Sequence, residues 1–337
     1  MSDPKIQDIY WESVINLVKK NPLQLFQTKN IIESGSANLD LALLPQQSKT
    51  TLSGLFKGLR PHQWSKNILI FAVLIIGGVP TFENVSIAFG IFVLFSMMAS
   101  ATYIINDLFD LQADRQNPYK QYRPLAKGEF RIPHAIALSL LMLLFSLGLA
   151  TYLDPVLFLC FGTYLIVTLA YTFYVKRLII VDVMLLAFLY TWRVIIGGVA
   201  LDLPMSSWFI AFVVVTFLSL AFVKRAAGLK DEVGEDTGRG YRQKHYPLVV
   251  TLGCGLAVIA TVVYGLFIQL DPSVADRYHE YVYLWLSAIA FGLWIGYIWL
   301  QTIKGKMHQD PIVFSGTNII SLWLSGATVA FHFLSRV

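Results

Sequence analysis

Long apolar runs separated by short polar stretches occupy most of the chain. Nine of them lie near residues 67–82, 85–105, 132–151, 155–173, 179–199, 206–223, 247–270, 281–301 and 312–334. A helix of about 17–25 apolar residues crosses the roughly 30 Å of hydrocarbon in a bilayer. Lipid offers the backbone no hydrogen-bonding partner, so a spanning segment of this kind has to be helical. The pattern therefore predicts an all-α protein, a polytopic membrane bundle of about nine transmembrane helices.

The polar stretches differ among themselves. Two long ones, 106–131 and 224–246, and two short ones, 174–178 and 302–311, are rich in Lys and Arg, and they alternate with connections that hold only Arg277 and Arg336. The excess of cations on cytoplasmic loops places the basic connections and the N-terminus in the cytoplasm. Any active-site cavity built from them faces the same side. Residues 56–337 read as one membrane domain, and residues 1–55 as a cytoplasmic N-terminal tail. Within the tail, Ile15, Leu17, Val18, Leu23, Leu25 and Phe26, flanked by Lys19 and Lys20, suggest a surface amphipathic helix; a partly ordered tail is the competing reading. Gly35 to Thr51 is linker-like. Met1 to Ser53 shows no apolar core ahead of a small-residue cleavage site, so insertion is expected to rely on the spanning helices.

Composition agrees with this picture. Of 337 residues, 56% are hydrophobic and 14% charged, against about 25% charged in soluble domains. The net charge of +5 is accounted for by the cytoplasmic loops and calls for no nucleic-acid partner. Cys160 and Cys254 both sit in apolar runs, without the spacing of a metal site or a disulfide framework.

The chemistry concentrates where spans meet basic loops. At the end of the second run, N106-D-L-F-D-L-Q-A-D-R115 presents Asp107, Asp110 and Asp114 at i, i+3 and i+7, one face of a helix. Carboxylates so close repel unless a cation sits among them. Mg2+ suits them, because it takes oxygen ligands and is commonly held by one or two carboxylates together with substrate phosphates. Asn106 is either a further ligand-side contact or a cap. Lys120, Arg123 and Lys127 follow closely and fit phosphate oxygens, some of them serving topology alone. A second cluster, K224-R-A-A-G-L-K-D-E-V-G-E-D236, again mixes charges. Asp231 with Glu235 forms an i, i+4 pair for a second ion if the segment is helical, and Lys224 and Arg225 are anion clamps at the membrane boundary; a solvated, salt-bridged loop is the alternative. Arg193 lies inside the fifth run, where a cation is costly and marks a functional position; Asp182 is its candidate partner. Lys66, Tyr171 and Lys176 occupy other cytoplasmic helix ends.

These residues resemble the UbiA superfamily of membrane prenyltransferases over Leu59 to Val337. The match rests on N106-D-x-x-D-x-x-x-D114, R123-P-L-A-x-G128, Y171-x-x-x-x-K176 with Asp182, Y190-T-x-R193 and the K224-R cluster. The resemblance implies a nine-helix bundle around a cavity, with Asp-rich motifs holding Mg2+ and diphosphate. R60-P-H-Q-W-S-K-N67 together with R123-P-L-A-x-G128 is most similar to the decaprenyl-phosphate phosphoribosyltransferase branch. That implies transfer of 5-phosphoribosyl from phosphoribosyl diphosphate to a polyprenyl phosphate at a prokaryotic plasma membrane, in the synthesis of a cell-envelope glycolipid precursor. Four residues separate Tyr171 from Lys176, where aromatic-prenylating members usually show three. Prenylation of an aromatic acceptor from a polyprenyl diphosphate is the second reading, and a membrane transporter the third. The chain also resembles membrane domains fused to a haloacid-dehalogenase-like phosphatase, at S219-L-A-F-V-K-R225 and G238-R-G-Y-R242, but Met1 to Ser53 carries no DxDxT motif.

Overall fold

The computed structural model describes residues 4–20, 49–77, 80–175, 178–231, 241–307 and 310–336, and these contain helices and no strand. Helices α1 (Pro4–Lys20) and α2 (Leu52–Leu59) precede a 3-10 run, Pro61–Phe71, and the short α3 (Ala72–Ile76). The first long helix, α4 (Phe82–Phe109), leads to the short α5 (Leu111–Gln116) and α6 (Pro124–Lys127). There follow α7 (Ile132–Leu153), α8 (Pro155–Phe173), α9 (Val181–Ala200), α10 (Ser207–Asp231), α11 (Tyr246–Leu270), the short α12 (Ser273–Arg277), α13 (Tyr281–Ile303), α14 (Pro311–Thr317) and α15 (Ile319–Leu334).

Among the described residues, seven helices (α4, α7, α8, α9, α10, α11 and α13) are long and apolar enough to span a bilayer, and α14 with α15 makes an eighth if the bent pair is one span. The protein is an integral membrane protein. Two of the nine expected spans have a different form. The run expected over 67–82 is the 3-10 segment plus α3, because Pro61 and the polar residues His62, Gln63, Ser65, Lys66 and Asn67 open it and Gly77 closes it. The run at 312–334 is broken by 93° at Asn318. There the Asn side chain accepts from the Ser321 amide at 3.1 Å, so it starts a new helix instead of continuing the old one.

By packing, the chain divides into two compact units, residues 1–64 with 93–158, and residues 65–92 with 159–337. In the first, α1 lies on α7, and α6 packs against both α2 and α5, around a core of Ile104, Leu108, Leu111, Leu125, Phe130 and Ile132. Helix α1 is therefore seated on protein. Trp11 and Ile15 pack on that core, while Asp8, Glu12 and Ser13 are buried with them, so the contact face is mixed where an apolar one was expected. Leu23, Leu25, Phe26 and most of the linker-like stretch lie outside the described residues.

In the second unit, α10 packs between α9 and α11, and α13 against α11 and α15. Helices in lipid gain little from apolar burial alone and rely on close approach and interhelical hydrogen bonds. Gly253 supplies both, since a Cβ there would lie 2.1 Å from the Trp299 ring. The Trp299 indole donates to Ser219 Oγ at 2.9 Å, and that hydroxyl donates to the Gly253 carbonyl at 2.8 Å. Gly197 on α9 does the same for the 3-10 run, where a Cβ would lie 2.1 Å from the Ile70 carbonyl oxygen.

Candidate functional site

The acidic motif belongs to the first unit and is folded around one guanidinium. Helix α4 ends at Phe109, Asp110 sits at the break with φ −93° and ψ 5°, and α5 resumes at once. The break is slight, because the Asp110 and Asp114 amides still donate to the carbonyls of Asn106 and Asp110 at 2.9 and 2.8 Å. The expected common face survives it. Arg123 Nη1 reaches Asp107 Oδ1 at 3.1 Å and Asp114 Oδ2 at 2.6 Å, and both carboxylates are nearly inaccessible, with side-chain exposures of 5% and 3%. Burial, with Asp107 adding to it, pushes the Asp114 carboxyl above its ordinary value even against the pull of Arg123 and Lys120. Asn106 and Asp110 are half-buried, and Lys120 is exposed. Lys127 does not join them; it pairs with Glu129.

Arg60 completes this cluster and was quoted only as part of a motif. Its Nη2 donates to both oxygens of Asp107, at 2.5 and 2.7 Å, and its guanidinium lies over the Tyr103 ring. The residue ends α2 with φ at +52°, a conformation that costs a non-glycine residue roughly 1–2 kcal/mol. A position best suited to glycine is thus filled by a side chain that meets both oxygens of Asp107.

Among the described residues no three His, Cys, Asp or Glu side chains converge as a closed metal cage. The donor set nevertheless fits Mg2+ held in part by a ligand's own oxygens: two buried carboxylates already share a cation, and Asp110 stands between them in sequence. Asp107, Asp110 and Asp114 are the residues that would hold the ion. Asp231 is the last residue of α10, and its side chain, with Lys176 and Glu235, lies outside the described residues.

The second unit carries several buried polar groups. Lys66 from the 3-10 run and Lys224 from α10 approach the same oxygen, Asp310 Oδ2, at 3.3 and 3.2 Å, and Tyr190 from α9 donates to it at 2.7 Å. Burial works to raise the Asp310 carboxyl, but Lys224, Lys66 and the Tyr190 hydroxyl outweigh it and hold the group at about 2. Two cations and one anion leave the trio with a net charge of +1. Lys224 and Arg225 were placed in a loop, yet α10 runs on to Asp231 and carries both. Asp310 was missed, since its only sequence signal is a carboxylate before Pro311, the mark of a helix cap; its other oxygen does accept from the Ile312 amide at 3.2 Å.

Arg225 is engaged elsewhere. Its side chain is 4% exposed and its Nε lies 2.5 Å from Asp182 Oδ2, while its Nη2 donates to the Tyr171 hydroxyl at 2.8 Å. Tyr241 also donates to Asp182, at 2.8 Å. Asp182 is accordingly the partner of Arg225, where Arg193 had been expected. Arg193 instead donates to Asn67 Oδ1 at 2.9 Å, to the Tyr164 hydroxyl at 2.9 Å and to the Leu189 carbonyl, with the Tyr164 and Tyr190 rings beneath its charge. It fastens the 3-10 run that carries Lys66 to α8 and α9.

An apolar cavity of about 300 Å3 lies in the same unit, bounded by Leu69, Val194, Phe217, Leu220, Ile312 and, among others, Tyr264 and His332. Its wall includes a residue close in sequence to each charged one: Leu69 three after Lys66, Leu220 four before Lys224 and Ile312 two after Asp310. Lys66, Lys224 and Asp310 thus lie within four residues, in sequence, of the lining of an apolar chamber.

Comparison with known proteins agrees with this anatomy. The model of the UbiA prenyltransferase family matches residues 67–330. The uncharacterized protein y4nM of Sinorhizobium fredii is 34% identical over 333 residues, 96% of this chain and 63% of that one, so this chain spans under two thirds of that relative's length. The decaprenyl-phosphate phosphoribosyltransferase of Mycobacterium tuberculosis is 35% identical over 208 residues, 60% of this chain and 68% of that protein. A UbiA homolog from Archaeoglobus fulgidus, solved with GPP and Mg2+, shares the fold with a TM-score of 0.60 at 15% identity, over 84% of this chain and 99% of that one. This chain belongs to the UbiA prenyltransferase family of membrane transferases.

Proposed function

We propose that the protein transfers 5-phosphoribosyl from phosphoribosyl diphosphate to a polyprenyl phosphate, releasing diphosphate, in a prokaryotic plasma membrane with the charged groups on the cytoplasmic side. The observation that carries this reading is the pair of lysines, Lys66 and Lys224, that share Asp310 Oδ2, with Leu69, Leu220 and Ile312 close to them in sequence lining an apolar chamber. The chamber has the composition to hold the first isoprene units of a lipid acceptor, with the net positive trio receiving its phosphate monoester. At about 300 Å3 the chamber is at the small end of ligand pockets, so a long chain continues into the bilayer.

The acidic motif in the other unit supplies a separate need, a grip on the donor's diphosphate. Asp107, Asp110 and Asp114 would hold Mg2+ there, and the ion when bound would supply neutralisation of the charge developing on the leaving group. Arg123 holds Asp107 and Asp114 together, and Arg60 adds a second guanidinium to Asp107. The donor's anomeric C–O bond breaks, the diphosphate leaves with the electron pair, and a phosphate oxygen of the lipid forms the new C–O bond. The acceptor is already an anion at neutral pH, so no general base is required. Two anion-binding groups suit two anionic substrates, and the similarity to a decaprenyl-phosphate phosphoribosyltransferase favours the same pair.

Membranes containing the protein, given radiolabelled phosphoribosyl diphosphate, polyprenyl phosphate and Mg2+, should form a lipid-extractable product that is lost with Asp110→Ala. Prenylation of an aromatic acid from a polyprenyl diphosphate, with no ribosylated lipid from the same folded protein, would establish the rival chemistry instead.

A further inference from the structure

We infer that the N-terminal helix braces the acidic motif, and that Glu12 and Lys19 are positioning residues for its metal site. The inference rests on the reading that Asp107, Asp110 and Asp114 hold a divalent cation on a diphosphate.

Helix α1 grips both ends of the segment that carries the motif. At one end, Lys19 Nζ donates to the Phe109 carbonyl at 2.9 Å, immediately before Asp110. At the other, Arg115, immediately after Asp114, donates through Nη1 to both oxygens of Glu12 at 2.7 and 2.9 Å. The two contacts bracket Asp110 to Asp114. Glu12 and Lys19 lie seven positions apart, two turns of one helix and about 10 Å of rise, so a single rigid element sets the spacing. Trp11 and Ile15 fix that element to the core beneath, which includes Leu108 and Leu111 from either side of Asp110.

The strengths of the two contacts differ. Glu12 and Arg115 are almost inaccessible, with side-chain exposures of 1% and 6%, and removing one of them leaves the other charge buried without compensation. Lys19 is exposed and acts more weakly, but it places a cation at the C-terminal end of α4, where the helix dipole is negative. The motif needs holding from outside. Asp110 stands at the break between α4 and α5, where the continuous helix is interrupted. Outer partners of metal ligands commonly tune affinity in this manner, at about 10–100-fold when removed.

The test measures binding of Mn2+ with inorganic pyrophosphate to the full-length protein in detergent, by titration calorimetry. It is run beside the Mg2+ dependence of transfer and the metal-free melting temperature. Glu12→Ala should weaken Mn2+–pyrophosphate binding about tenfold and raise the half-saturating Mg2+ to match, with turnover at saturating Mg2+ nearly unchanged. Exchanging the charges, Glu12→Arg with Arg115→Glu, should recover most of the loss, and Lys19→Met should give a smaller loss in the same direction. If Glu12→Ala fails to accumulate, the isosteric Glu12→Gln serves in its place. Binding equal to wild type, or a lower melting temperature with unaltered binding, overturns the inference and leaves α1 a structural attachment. A wild-type protein that binds no Mn2+–pyrophosphate refutes the metal reading itself.

Discussion

Replacing Asp310 by Asn removes the one charge that Lys66 and Lys224 share. Asn keeps the size of the side chain and serves nearly as well as Asp as a helix cap, so the bond from the Ile312 amide is retained. What disappears is the anion shared by Lys66, Lys224 and Tyr190. A folded-state value of about 2 against an ordinary 3.8 corresponds to about 2.5 kcal/mol of native stabilisation at neutral pH. The sign follows from a lowered pKa: the contribution is complete above about pH 4 and fades as pH falls through about 2, with roughly half gone by pH 3. Thermal or SDS unfolding of Asp310→Asn in detergent should therefore show a loss of about 2–3 kcal/mol at pH 7 that narrows steadily toward pH 3. Adding Lys224→Met should soften the loss, since one of the two uncompensated cations is then gone. A loss independent of pH, or one below about 0.5 kcal/mol at pH 7, would refute the argument that these groups form one buried electrostatic unit.

Other expectations follow from the same geometry. Gly197→Ala drives a methyl group into the Ile70 carbonyl; overpacking of this kind costs about 1–3 kcal/mol, and it should lower both the melting temperature and transferase activity by displacing the segment with Lys66 and Asn67. Arg60→Gly relieves a left-handed residue worth roughly 1–2 kcal/mol but deprives Asp107 of one of its two guanidinium partners. Its activity should drop well beyond any change in stability, while Arg60→Ala should be less stable than Arg60→Gly in the same melting assay. Arg193→Lys keeps the charge and loses the fork that meets Asn67, Tyr164 and Leu189; about 2–3 kcal/mol of stability should be lost, measured by unfolding in detergent.

The comparison of sequence with structure is instructive at particular residues. The three carboxylates at i, i+3 and i+7 were legible because helical spacing is local and survives the small break at Asp110. Arg123 was legible as a cation near them in sequence, but its choice of Asp107 and Asp114, and Lys127's choice of Glu129, depend on the turn at 117–123. Arg193 was recognised as a buried cation from the cost of placing it in an apolar run. Its partners proved to be neutral oxygens and aromatic rings, from Asn67 and Tyr164, which no spacing rule connects to it.

The amino-acid sequence by itself determined the solvent, the all-helical class, the acidic motif and most helix boundaries. All of these follow from composition and from interactions within a few residues. Tertiary structure alone decided that Asp310 joins Lys66, Lys224 and Tyr190 across separations of up to 244 residues, that Asp182 belongs to Arg225, and that Glu12 of α1 meets Arg115 beside the acidic motif. Which charges meet depends on helix packing and close approach at positions such as Gly197 and Gly253, set by van der Waals fit between segments remote in the chain. The same physics broke the last apolar run at Asn318, where one amide cap outweighed the uniform hydropathy around it.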